Sequence, residues 1–364
     1  MFYDDKKESK DDKMMEFKSI TLKEKALYEQ YLKKEKELGC EFSFASLYLW
    51  GQQNFAVLCD HFFVYSKIND QSIYLFPMGS GEKKKALDVV IADAKAKGIP
   101  CRITGVYDSE KQILEELYPG MFRFDYDEAL FDYIYDIDDL ADLKGKKYHK
   151  KRNHIHRFLD CYPDYTVESL TQENLPRVRK MVEQWYQVKQ TAVKSQDSQQ
   201  EQQDTANQDS QQEQQDTANQ DSRQEQQDTP NQDNLLKQQD TANQDYQLEQ
   251  QAMERAFAHY QELNMEGLVL LNGDDVLAVS LGSLLSEDTV DIHFEKARVD
   301  IQGAYAMINR EFARYIRNKY PKVRFLNREE DMGIEGLRKA KQSYYPHHLL
   351  KKCRACLLEE RYED

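Results

Sequence analysis

Residues 267–327 read GLVLLNGDDVLAVSLGSLLSEDTVDIHFEKARVDIQGAYAMINREFARYIRNKYPKVRFLN. Alternating runs at Gly267–Leu271, Val276–Leu284 and Thr289–Glu295 are parted by turn signals at Asn272-Gly273 and Ser286-Glu287-Asp288, so the spacing predicts a three-strand meander. Tyr305, Ile308, Phe312, Tyr315 and Ile316 then recur at helical spacing up to Pro321, and Val323–Leu326 reads as another strand. Glu335–Tyr344 follows as a helix and His348–Leu357 as a last strand. Upstream, Tyr165–Leu170 is strand-like. Leu175, Val178, Met181, Val182, Trp185 and Val188, and then Met253, Ala256, Phe257 and Tyr260, mark two amphipathic helices.

The first half repeats this order. Strands are predicted at 15–21, Phe55–Leu58, His61–Ser66, Ile73–Phe76, Arg102–Val106 and Leu130–Ile137, with helices at Leu22–Leu38, Glu82–Lys97 and Ser109–Leu117. The class is therefore α/β (mixed α+β), with two tandem units. A charged tail covers 1–14, the first unit 15–137, a basic connecting helix 138–163, and the second unit 164–364. Between its two helices the second unit carries a polar insertion at 196–243.

That insertion repeats QDSQQEQQDTAN every twelve residues, and its only apolar residues are Ala206, Ala218, Leu235, Leu236 and Ala242. So few apolar groups cannot offset an ordering entropy of roughly 1–2 kcal/mol per residue, and the segment is expected to lack fixed structure. The insertion carries −9 of the chain's net charge of −15. Gly and Pro together are 22 of 364 residues, which excludes collagen-like and turn-dense all-β folds. No run approaches the ~18 apolar residues of a membrane span, and no signal peptide is visible, so a cytoplasmic protein is expected. The six cysteines read as reduced thiols. Cys353 and Cys356 form a CxxC with no second ligand pair nearby in sequence, so no metal site is expected.

Several constellations bear on chemistry. In strict alternation Val290, Ile292 and Phe294 share one strand face, and Asp291, His293 and Glu295 share the other, where three ionisable groups suit proton transfer. Asn327-Arg328-Glu329-Glu330-Asp331 follows a strand end, a usual place for site residues. Residues 144–157 hold seven Lys or Arg and no acid, a run suited to phosphates. Gly79-Ser80-Gly81 reads as a turn.

The stretches GKKYHKKRNHIHRF (145–158), HFEKA (293–297), GAYAMINREFA (303–313), NREEDMG (327–333) and GLRKAKQSYYP (336–346) resemble a bacterial family similar to the C-terminal domain of phosphatidylglycerol lysyltransferase. The resemblance covers about 15–190 and 244–352. It implies two tandem GCN5-related acyltransferase (acyl-CoA N-acyltransferase-like) domains, as in the Fem peptidoglycan aminoacyltransferases. It also implies transfer of an aminoacyl group from aminoacyl-tRNA to a small-molecule, lipid or peptidoglycan-precursor acceptor, with no other cofactor. On this reading Asp291, His293, Glu295, Asn327 and Glu330 are the expected catalytic residues. Lys147, Lys150, Lys151, Arg152, Arg157, Lys296, Gly303, Arg328, Lys339, Lys341 and Tyr344 are expected to bind substrate.

Acetyl-transferring relatives hold the coenzyme A pyrophosphate with Q/R-x-x-G-x-G/A after this strand. Here the loop reads ARVDIQGAYA (297–306), with Ile301 where glycine should stand. Gly303-Ala304 still opens a helix able to bind a phosphate. A coenzyme A-dependent N-acyltransferase, or a non-catalytic module using the basic helix, are the alternatives.

Overall fold

The computed structural model describes residues 15–33, 35, 38–51, 53–68, 71–189, 191 and 232–358. The tail 1–14 and repeat residues 196–231 lie outside them. The fourth repeat copy does not: residues 232–243 open the helix Gln232–His259, against the expectation for this copy. Once a helix is nucleated, each further residue adds a hydrogen bond without a new nucleation cost, so it propagates into polar sequence.

In chain order the elements are β1 (Lys18–Ser19), α1 (Lys25–Leu32), α2 (Phe44–Leu49), β2 (Gln53–Leu58), β3 (His61–Ile68), β4 (Gln71–Leu75), β5 (Met78–Gly79), α3 (Lys83–Ala96), β6 (Arg102–Val106), α4 (Asp108–Leu117) and β7 (Phe122–Tyr126). Then come β8 (Asp132–Asp136), α5 (Ile137–Asp142), α6 (His149–Cys161), β9 (Thr166–Ser169), α7 (175–189) and α8 (Gln232–His259). Last are β10 (Met265–Asn272), β11 (Asp275–Leu284), β12 (Thr289–Ala297), α9 (Ala304–Lys319), β13 (Phe325–Asn327), α10 (Glu335–Gln342), β14 (His348–Leu350) and β15 (Cys353–Leu357).

Two sheets of one plan result. The first runs β1-β2-β3-β4-β6-β15-β7, and the second, read from its other edge, β9-β10-β11-β12-β13-β8-β14. In each, antiparallel strands lead to one parallel pair, β4 with β6 and β12 with β13, spanned by α3 and α9 respectively. A parallel pair requires such a crossover, usually a helix.

The strand next to that pair comes from the other half of the chain in both sheets. Leu130–Ile137, expected to close the first unit, supplies β8 to the second sheet. The expected single strand His348–Leu357 is two strands: β14 joins the second sheet, Lys351-Lys352 cross over, and β15 enters the first between β6 and β7. Each unit is completed by its neighbour.

Three apolar clusters follow from this. One lies under α3 and α4 and another under α5, α6 and α9. The third joins α1, α2 and β3 to α7, α8 and β10–β12, so the units share a core. Among the described residues no helix is long and apolar enough to cross a membrane.

Gly303 caps α9 at φ +89°, and a Cβ there would lie 2.2 Å from the His154 carbonyl oxygen of α6. The glycine therefore serves close packing of α6 on the loop before α9. Gly303→Ala is expected to destabilise by more than about 1–2 kcal/mol, from backbone strain plus the displaced helix. An unchanged urea midpoint would contradict this.

Candidate active site between the two units

The two exchanged strands bring opposite charges together at their entry points. Asp132 begins β8 and Lys352 precedes β15; Lys352 Nζ lies 2.8 Å from Asp132 Oδ1, 2.6 Å from Glu41 Oε2 and 2.7 Å from Glu330 Oε1. All are buried or half-buried. The other Asp132 oxygen accepts from the Cys40 backbone N–H at 2.7 Å and from Asn327 Nδ2 at 2.7 Å. The Cys40 thiol donates to Asp132 Oδ1 at 3.3 Å. Tyr107 donates to Glu41 at 3.0 Å and accepts from the Gly39 N–H at 2.7 Å.

Burial opposes the Lys352 charge, but Asp132, Cys40, Glu41 and Glu330 outweigh it and hold its pKa well above the ordinary range. Burial likewise works against ionised Asp132, yet Lys352 keeps it below the usual carboxylate range. Glu330 goes the other way: burial, reinforced by Asp132 and opposed by Lys352, pushes it up to about 7.

A second group adjoins the first. Asp291 pairs with Asn327 across the parallel strands β12 and β13. His293 Nε2 lies 2.8 Å from Ser283 Oγ of β11. Its Nδ1 lies 3.2 Å from Glu329 Oε1, 3.3 Å from Ser46 Oγ of α2 and 3.5 Å from Asp291 Oδ2. Asp291 is fully buried, and burial, then Glu329 and Asp132, raise its pKa well above the carboxylate range. A cavity of about 210 Å³ opens beside Glu41, Glu330 and Lys352 and is also lined by Asp125, Asp127 and Arg354.

The expected proton-transfer face is split. Leu281 and Gly282 are adjacent on β11 but pair with Phe294 and Ile292, leaving His293 as a bulge residue. The extra residue inverts the alternation. Val290 and Ile292 pack into the α9-side cluster, while Phe294 enters the core between the units. Asp291 and His293 therefore stay together. Glu295 instead accepts from Asn309 of α9 at 3.2 Å and pairs with Arg328 at 3.0 Å.

Other expected residues are also rearranged. Arg328 stacks 5.0 Å from the Tyr344 ring, and Lys151 lies 3.5 Å from the same ring's centroid. Burial, then Arg328, lowers Lys151 to about 8. Lys341 donates to the carbonyls of Arg328 (2.6 Å) and Glu330, and so pins the turn that carries the site. Lys296 is buried against Trp185 and bound to Glu249 at 2.7 Å, and Lys339 is exposed beside Glu335; neither reaches the site.

The basic run is acid-free in sequence but not in space. Lys147 pairs with Asp139 and Lys144 with Asp142 of α5, both at 2.8 Å. Arg152 caps the carbonyls of Leu143 (2.5 Å) and Gly145 (2.7 Å). Lys146, Lys150 and Arg157 are exposed and hold no ion pair among the described residues. Cys353 and Cys356, three apart on one strand, bond to Val106 and Asp125 and form no common site.

Sequence reading missed Cys40, Glu41, Asp132 and Lys352. Their one local signal is Lys351-Lys352 interrupting the strand-like run 348–357.

A solved structure of a conserved protein of unknown function from Bacteroides thetaiotaomicron is 32% identical, over 95% of this chain and 100% of that one, with a TM-score of 0.75. L-PGS from Bacillus licheniformis is 12% identical, over 91% of each chain, with a TM-score of 0.55, a likeness of fold. No curated protein matches. The family described as phosphatidylglycerol lysyltransferase, C-terminal, matches residues 33–219 and again 220–356. With two units of acyltransferase-type fold and a family match across nearly the whole chain, this protein belongs to the phosphatidylglycerol lysyltransferase C-terminal family.

Proposed function

We propose that this protein transfers an aminoacyl group from aminoacyl-tRNA to an amine or hydroxyl acceptor. The observation that carries this reading is the acid excess between the units: Glu41, Asp132 and Glu330 contact the Lys352 ammonium, and Asp291 and Glu329 gather around His293 beside them. Such a site favours a group that arrives with its own positive charge, as an aminoacyl ester does through its α-ammonium. A cavity of about 210 Å³ lies below the ~300–1,000 Å³ of drug-sized sites and suits a small acyl group. The loop that would take a coenzyme A pyrophosphate is packed by α6 at Gly303.

The ester is already activated, so the protein's task is to position the acceptor and move one proton. The acceptor nitrogen or oxygen attacks the carbonyl carbon and the ester C–O bond breaks. Glu330 takes the acceptor proton, which returns to the departing ribose oxygen. Asn327 Nδ2 holds Asp132 at 2.7 Å, and Asp291 pairs with Asn327 across the adjoining strands.

The test is a titration of charged and uncharged tRNA at several salt concentrations, beside acetyl-coenzyme A. With Lys146, Lys150 and Arg157 as the phosphate contacts, log affinity should fall against log salt with a slope of about −2 to −3. Lys150→Glu with Arg157→Glu should weaken all tRNAs about equally, because phosphate contacts carry no sequence information. Salt-independent or absent tRNA binding, with micromolar coenzyme A binding, would overturn the reading.

A further inference from the structure

The two acid groups of the site differ in one respect. The first has a cation built in: Lys352 Nζ sits 2.6–2.8 Å from three carboxylates, the spacing of charge-assisted hydrogen bonds. The second, Asp291 with Glu329 around His293, has no ion pair to Lys or Arg among the described residues. Both Asp291 carboxyl oxygens are buried without a hydrogen-bond partner, on a residue with no solvent exposure. Ionised, this carboxylate would incur a penalty of several kcal/mol; protonated, its hydroxyl would have His293 Nδ1 as acceptor at 3.5 Å, the long limit of a hydrogen bond.

His293 does not resolve this. Its Nδ1 faces Glu329, Ser46 and Asp291 at 3.2, 3.3 and 3.5 Å, and one N–H can serve only one of them. All three distances are long for a charged hydrogen bond, typically about 2.7–2.9 Å. They match the edge of a tetrahedron whose centre lies about 2.0–2.1 Å from each corner, near 3.3 Å. The ligand atoms of Asp291, His293 and Glu329 all lie within 4.8 Å of one another.

We propose that Asp291 Oδ2, His293 Nδ1 and Glu329 Oε1 bind one divalent transition-metal ion of the zinc class, with Ser46 Oγ or water as the fourth ligand. The outer shell fits. Ser283 Oγ lies 2.8 Å from Nε2, so a proton on Nε2 has an acceptor in the tautomer that leaves Nδ1 as a ligand. Glu329 is held at φ +56°, a strained conformation for a non-glycine residue, and its N–H donates to Asn327 Oδ1 at 2.7 Å. One nitrogen and two carboxylate oxygens suit zinc, cobalt or manganese above calcium. This site goes beyond the aminoacyl-transfer reading and does not rest on it.

The experiment uses the full chain, stripped with a chelator and dialysed. Cobalt(II) is titrated in while the visible absorption of tetrahedral cobalt is followed, and zinc is then added as competitor. One equivalent should bind, zinc should displace it, and the melting temperature should rise with either ion. Glu329→Gln and His293→Ala should each weaken binding at least about 100-fold. Asp291→Asn, which removes the buried charge, should weaken it while raising the stability of the metal-free chain. Glu41→Gln, in the neighbouring group, should leave the stoichiometry at one. No tetrahedral cobalt spectrum at millimolar ion, or binding that persists in both Glu329→Gln and His293→Ala, would overturn the proposal. Neither readout involves tRNA or transfer, so failure here is distinct from failure of the functional reading.

Discussion

Lys352→Met is expected to destabilise the protein by about 3–5 kcal/mol, because removing one partner of a buried ion pair leaves the other charges uncompensated. The variant leaves Asp132, Glu41 and Glu330 facing one another without the ammonium that lies within 2.8 Å of each. Methionine fills a similar volume, so little of the loss comes from packing. A distinctive sign is its pH dependence. An uncompensated buried carboxylate has a folded pKa above its unfolded value of about 4, so the folded state binds the extra proton. The deficit is then full at pH 8 and shrinks as pH falls through the raised folded values. Adding Asp132→Asn should recover part of the loss, a coupling that a double-mutant cycle in urea measures directly. Equal stability of Lys352→Met and wild type at pH 8 would show that the pair does not pin the strand crossover.

Glu330→Gln is expected to lower the rate of aminoacyl transfer by about 10²–10⁴, the usual contribution of a general base. The wild-type rate should rise with pH through an apparent value of about 7, where Glu330 loses its proton. Glutamine should remove that limb. Because Glu330 sits against Lys352 beside Asp132, the apparent value belongs to the group. Asp132 and Glu41 still satisfy Lys352 in the variant, so its unfolding midpoint should stay near wild type. Full transfer activity with an unchanged pH profile would take Glu330 out of the chemistry.

Local pattern made much of this protein legible. The meander 265–297, the helices under Pro321 and Gly98, and the two-unit repeat all follow from periods of 2 and 3.6 residues. The 327–331 run suggested a site because a strand end presents its next few residues together, and Asn327, Glu329 and Glu330 lie in the candidate site. Where a single rule was applied strictly, the structure departs from it. Alternation put Glu295 beside His293, and one bulge residue moved it to the opposite face. The acid-free basic run was neutralised in part by Asp139 and Asp142, only a few residues upstream.

The sequence by itself determined the meander and most of the strand and helix alternation, the family and which residues could be charged. Only the tertiary structure decided that β8 and β15 change places and that Cys40, Glu41, Asp132, Glu330 and Lys352 form one centre. Asp132 and Lys352 lie 220 residues apart. Periodicity reports which way a side chain faces within its own element. Strand pairing between elements so far apart is selected by the combined burial of both sheets, a long-range sum that no short window of sequence contains.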